Sequence, residues 1–206
     1  MFDVATSMRV ALVSVVLLGV GLCGTGPAAS AQAAEVFQVD PVHSAVGFKV
    51  RHLLSKAGGG FDEFSGTLHY DAQNPAKSRM EFTIQTASID TDNEKRDQHL
   101  RSADFFDVEK YPTITFKSTK IEPTDKASHY KVTGDFTMHG VTKPIVVDAE
   151  VLGFAETGMG VRGGVDVEAT IDRKEFGIVW NQTMDKGGVV LGDDVEIDIS
   201  LAFYQP

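Results

Sequence analysis

Cysteine is almost absent. Cys23 is the only one in 206 residues, which excludes an intrachain disulfide and any cysteine-ligated zinc or iron–sulfur centre. Positive charge is in deficit. Lys and Arg number 19 against 29 Asp and Glu, giving a net charge of −10. No basic patch stands out, so sequence-independent binding to nucleic acid has little electrostatic basis. Recognisable catalytic motifs are missing as well: there is no Gly-x-Ser-x-Gly elbow, no His-Glu-x-x-His and no phosphate loop with its Lys-Ser/Thr pair. The six histidines form no His-x-His pair. They read as surface or hydrogen-bonding residues, not as a metal site. The acidic pairs Asp193-Asp194 and Asp104 with Asp107 read as solubilising surface charge.

Long hydrophobic runs are lacking too. The apolar run Val10–Cys23 falls short of the roughly 20 residues that a bilayer-spanning helix needs. It is followed by Gly24-Thr25-Gly26-Pro27 and then by Ala29-Ser30-Ala31 and Ala31-Gln32-Ala33, which offer small residues at both key positions of a signal-peptidase site. Residues 1–33 therefore read as a secretory signal peptide, and residues 34–206 as one mature domain in the periplasm or outside the cell. Removing the leader removes Cys23, so the mature chain relies on its core alone.

What the mature chain has is period-two alternation. Apolar and polar residues take opposite faces over Ser44–His52, Gly60–Tyr70, Arg79–Asp90, Thr113–Ile121, Tyr130–His139, Lys143–Leu152, Met159–Ile171 and Val195–Phe203. That predicts eight strands, each with one greasy and one wet face, paired antiparallel. A single open sheet would leave long edges and a bare apolar face. Closure into a barrel removes both, and a sandwich is the alternative. Turn signals fall at Ala57–Gly60, Asp71–Pro75, Glu122–Asp125, His139-Gly140, Glu156–Gly158 and Lys186–Gly188. One helix is expected after Thr91-Asp92-Asn93-Glu94, read as a capping box, with Asp97 and Arg101 paired on its surface. It either covers a barrel end or forms a lid over a ligand mouth.

An eight-stranded barrel is just wide enough to be filled by its own side chains or to hold one small ligand. The expected inner wall is rich in large apolar groups: Val46, Phe48 and Val50; Phe64 and Leu68; Met80, Phe82 and Ile84; Ile114 and Phe116; Phe136 and Met138; and Val147. Gly66 and Gly134 fall on inward positions, where a missing side chain leaves room.

A set of ordered segments resembles the YceI family. They are Val39-Asp40-x-x-His43-Ser44-x-Val46-x-Phe48-x-Val50-x-His52, Phe61-x-x-Phe64-x-Gly66, Ser88-Ile89-x-Thr91 and Arg96-Asp97-x-His99-Leu100-Arg101-Ser102-x-Asp104-Phe105-Phe106-Asp107. They continue with Tyr111-Pro112-x-Ile114-x-Phe116-x-Ser118, Gly134-Asp135-Phe136-Thr137-x-His139-Gly140-Val141-Thr142 and Arg173-x-x-Phe176-Gly177. The resemblance implies an elongated lipocalin-like barrel whose lumen holds a long polyisoprenoid tail, as in an isoprenoid quinone or a prenyl-phosphate-type lipid. It implies no required cofactor and no established catalysis. The alternative is a redox or stress-related accessory enzyme acting on the bound lipid. A homodimer and a transient membrane contact for lipid exchange are the other expected associations. His52, Arg96, His99 and Trp180 are the candidates for the mouth and the lipid head group.

Overall fold

A computed structural model describes residues 34–183 and 189–206. The expected leader in residues 1–33 and the expected turn at Lys186–Gly188 lie outside the described residues. The strands are β1 (Glu35–Val39), β2 (Ala45–His52), β3 (Ser55–Phe61), β4 (Phe64–Tyr70), β5 (Arg79–Gln85) and β6 (Ile89–Asp90), followed by β7 (Thr113–Pro123), β8 (His129–Met138), β9 (Val141–Thr157), β10 (Gly160–Asp172) and β11 (Leu191–Tyr204). The α-helix among the described residues is α1 (Glu94–Arg101).

The strands pair antiparallel in the order β1-β4-β5-β7-β8-β9-β10-β11, and a β1–β11 pairing closes the ring. Three staves of this barrel are bent in two. β1 and β2 flank the turn Pro41–His43 and both pair with β11, at Val39↔Phe203 and Val46↔Ile199. β3 and β4 pair with β2 and β1 in the same way, and β6 and β5 with β3 and β4. With each bent stave counted once, the described residues form the eight-stranded antiparallel barrel that the alternation predicts, with one α-helix among them at one end. An unbroken ladder excludes the sandwich.

The first bend has a local cause. Pro41 cannot donate to a ladder, and Asp40 caps the turn by accepting from the Val42 N–H and from His43 Nδ1 at 3.0 Å. The His43 hydrogen bond holds the Asp40 carboxyl below the usual carboxylate range, helped by Val42, by the charge of His43 and by Arg162.

Three sequence expectations are corrected. Ala57–Gly60 is not a turn but the body of β3, paired with β2 at Gly60↔Gly47 and Gly59↔Phe48. A β-carbon on Gly59 would lie 2.7 Å from the Asp90 carbonyl oxygen, so glycine is needed for close approach of β6. The turn itself is Leu53-Leu54. Thr91 does not cap α1; Asn93 does, accepting from the Arg96 N–H at 3.0 Å. Nor does Asp97 pair with Arg101 on the surface. It is buried and accepts from the backbone N–H and the hydroxyl of Thr91, while Arg101 donates to the carbonyls of Ala87 and Ile89.

On the outer face, polar residues of adjacent strands meet in exposed pairs such as Lys117–Glu81 and Lys131–Asp148. These contribute little to stability. The inward residues supply the core, which divides into a large cluster containing Phe37, Phe176 and Phe203 and a smaller one of Val132, Val147 and Ala149 on β8 and β9.

Candidate functional site

The inward rows of the barrel do not interlock across its axis. Between them lies a cavity of about 480 Å³, within the roughly 300–1,000 Å³ common for small-molecule sites. Tyr130 and Met138, near opposite ends of β8, both line it. At roughly 3.4 Å per residue that spans about 27 Å along the strand. The space is therefore a tunnel along the barrel, not a surface cleft.

Nearly all the expected wall residues line this tunnel: Val46, Phe48 and Val50, Leu68, Met80, Phe82 and Ile84, Ile114 and Phe116, Phe136 and Met138, and Val147. Phe64 is the exception. Its side chain turns to the correct face, but its ring packs against Phe82 with centroids 5.8 Å apart and does not reach the tunnel. The inward glycines also act differently from expectation. The space over Gly66 is taken by Phe82 and Met80, since a β-carbon there would lie 2.7 and 2.8 Å from them. Phe116 occupies the space over Gly134 in the same way, and Phe154 the space over Gly163. Each glycine lets a ring from the next strand lie flat against the wall. The room is made along the axis, by keeping bulky rings out of it.

The alternation placed further lining residues on the inner face without singling them out: Ile145, Val165, Val167, Ile197 and Ile199. All are only partly buried, because they face open space instead of the opposite wall. Tyr70 and Tyr130 line the end of the tunnel away from α1. Burial pushes the Tyr70 phenol up, with smaller contributions from Tyr130 and Glu35, so it stays neutral at ordinary pH.

At the α1 end the structure brings all four mouth candidates together. His52, Arg96, His99 and Trp180 line the same cavity. His99 meets Trp180 edge-on with centroids 5.0 Å apart, and Phe105 packs on both, at 5.0 Å from His99 and 5.1 Å from Trp180. His99 Nε2 lies 3.0 Å from Asp104 Oδ2, which orients the ring. Arg96 is tied by Nε to the Thr91 hydroxyl and by Nη2 to the Thr91 carbonyl. Periodicity gave no signal for the residue that fastens this end. Arg173, 3% exposed, donates to the carbonyls of Gly192, Ile178 and Trp180 at 2.9, 2.8 and 2.9 Å. Burial lowers its pKa and the charges of Asp193 and Asp172 oppose that. The guanidinium pins the segment carrying Trp180 to β11. Among the described residues there is no cluster of three His, Cys, Asp or Glu that could hold a metal ion.

The tunnel can therefore enclose a slender apolar molecule, with hydrogen-bonding groups only near its two ends. Known proteins share this architecture. The chain is 27% identical to BcnA of Burkholderia cenocepacia, whose crystal structure superposes with a TM-score of 0.70 over 80% of this chain and 98% of that one. A polyisoprenoid binding domain from Saccharophagus degradans, implicated in plant cell wall breakdown, has the same fold at 16% identity, with a TM-score of 0.64 over 85% of this chain and all of that one. A UPF0312 protein of Pectobacterium atrosepticum is 39% identical over 177 residues, 84% of this chain and 88% of that protein. The YceI-like domain model matches residues 37–203, nearly the whole barrel. By its sequence and by its barrel, this chain belongs to the YceI family.

Proposed function

We propose that the protein is an exported binding protein that holds a long-chain polyisoprenoid lipid in the barrel, for carriage, storage or sequestration. One observation carries this reading: a tunnel some strands long whose middle section, between Val132, Val147, Val165 and Val167, offers no polar partner. An isoprenoid tail asks for none. Each buried methylene-sized group contributes about 0.8 kcal/mol, so a few isoprene units suffice for micromolar binding after ordering costs. Met80 and Met138 adapt to the methyl branches of such a tail. Selection then acts through width and length, and the head group rests at the α1 end among His52, Arg96, His99 and Trp180. The structural likeness to the polyisoprenoid binding domain from Saccharophagus degradans supports the same ligand class. The leader in residues 1–33 puts this activity outside the cytoplasm, where a transient membrane contact exchanges the lipid.

Native mass spectrometry of protein purified gently from its own host tests the reading. The expected spectrum carries an added mass that organic extraction removes and that is identified as a prenyl lipid. Empty protein from repeated preparations, together with no uptake of added isoprenoid quinone or polyprenyl phosphate, overturns it.

A further inference from the structure

The connection between β2 and β3 breaks the usual rule for a hairpin turn. His52 pairs with Ser55, so Leu53 and Leu54 form a two-residue loop. Leu53 has φ +54°, a left-handed conformation in which a leucine is strained. A positive φ at the first central position alone is the pattern of a type II′ turn, where glycine is preferred. Here the position holds a leucine, and the next residue is a second leucine with its side chain wholly in solvent. Breaking a local rule with no gain in packing marks a position kept for something else.

The turn stands at the tunnel mouth. Leu53 N–H donates to the Val190 carbonyl at 2.8 Å, and Val190 N–H donates to the Gln182 carbonyl at 3.0 Å. Val190 and Gln182 line the tunnel, as do His52 and Ala57 at the base of the hairpin. Val179, 63% exposed, precedes Trp180 in the same segment. Cations accompany these apolar groups. Among the described residues neither Arg51 nor Arg96 has a carboxylate partner, whereas Lys49, Lys117 and Lys131 on the barrel wall do. Arg51 Nη1 donates to the Leu53 carbonyl, which holds its charge beside the leucines. A protruding apolar tip with the unneutralised Arg51 held against it is complementary to an anionic bilayer surface: the leucines reach the acyl region and the guanidinium group stays with the phosphates.

We propose that the Leu53-Leu54 hairpin tip, with Val179 and Arg51, is the element that docks the tunnel mouth on an anionic lipid bilayer. The inference rests on the lipid-holding function proposed above and names the surface through which cargo passes. An insoluble tail then moves between membrane and tunnel without crossing water.

The test uses vesicles of phosphatidylethanolamine and phosphatidylglycerol, with phosphatidylcholine vesicles as the uncharged comparison. The variant is Leu53→Gly with Leu54→Ser, which suits the turn better than the natural residues. Its melting temperature is expected to match or exceed that of the parent. In flotation, the parent is expected on the anionic vesicles, and the variant to lose about tenfold or more in partitioning. Arg51→Gln is expected to weaken binding to the anionic vesicles and leave the phosphatidylcholine result unchanged. Isoprenoid quinone delivered in detergent is expected to bind parent and Leu53→Gly/Leu54→Ser protein equally. Equal flotation of parent and variant overturns the docking proposal, as does no flotation of either. So does a parent dimer that the variant converts to monomer with vesicle binding unaffected, because the tip then belongs to an interface between copies. Failure of quinone uptake in detergent with flotation intact counts instead against the lipid-holding function.

Discussion

Phe116 lies across Gly134 on the adjacent strand, so close that a β-carbon on the glycine would overlap the ring. The pair shows how a barrel rich in phenylalanine remains hollow. A ring laid on a glycine sits against the wall, and the axis stays clear. Gly134→Ala forces the ring inward, with the Lys117 carbonyl oxygen, 2.7 Å from the new carbon, opposing any retreat. Such overpacking costs about 1–3 kcal/mol of stability. Urea unfolding is expected to show that loss, and titration with a prenyl lipid a fall in affinity of tenfold or more. Unchanged affinity would mean that Phe116 does not bound the ligand space.

Wall residues divide by what stands behind them. Phe82 is 7% exposed and packs on Phe64 and Gly66, so Phe82→Ala is expected to cost about 3 kcal/mol or more even in the empty protein. Val167 lines the tunnel but is only partly buried. Val167→Ala is expected to cost about 1 kcal/mol or less when empty, and distinctly more when the stability of loaded protein is compared. Equal losses at Val167 with and without lipid would contradict a lumen that is filled by ligand.

Arg173 donates to three backbone carbonyl groups at the mouth, those of Gly192, Ile178 and Trp180. Arg173→Met leaves them dehydrated and unpaired, a loss of about 3 kcal/mol. Arg173→Lys is expected to restore little, because one ammonium cannot reproduce the fork that reaches Gly192, Ile178 and Trp180. Thermal unfolding measures the loss. Fluorescence of Trp180, the sole tryptophan, is expected to shift toward that of a solvent-exposed indole at temperatures where the barrel is still folded.

The Asp40 carboxyl has a folded pKa below its unfolded value, chiefly through the hydrogen bond from His43. A depressed carboxylate stabilises the fold above the unfolded pKa, near 4, and that contribution is lost as pH falls through the folded value. Asp40→Asn is therefore expected to be less stable than the parent at pH 7. The two unfolding curves should converge as pH drops below about 4. A constant difference across that range would show that the bend at Pro41 does not depend on the Asp40 charge.

Period-two alternation revealed the barrel because every stave has a wet and a greasy face, as in β11, where Val195, Ile197, Ile199, Leu201 and Phe203 turn inward and Glu196 and Asp198 outward. It was silent where glycine replaces the alternating residue. Gly58-Gly59-Gly60 resembles a turn by composition, yet it is strand: the Asp90 carbonyl and the Thr91 side chain lie too close to Gly59 for a side chain there, and the Val46 carbonyl too close to Gly60. Facing was legible but depth was not. Phe64 and Phe82 share a face, and only the three-dimensional packing puts one ring behind the other. The helix start was misplaced by two residues, because Thr91, the stronger capping candidate by sequence, is drawn to Asp97 and Arg96 instead. The role of Arg173 was hidden for a related reason: its partners are backbone carbonyls, which carry no residue-type signal.

The most direct measurement is binding by a series of polyprenols that differ only in the number of isoprene units. A tunnel lined by apolar groups along about 27 Å of strand predicts that affinity rises by about tenfold or more for each added unit. The rise should stop once the barrel is full, and the break should move to shorter chains in the Gly134→Ala variant. An affinity independent of chain length, or one that keeps rising beyond any length the barrel could enclose, would contradict the account.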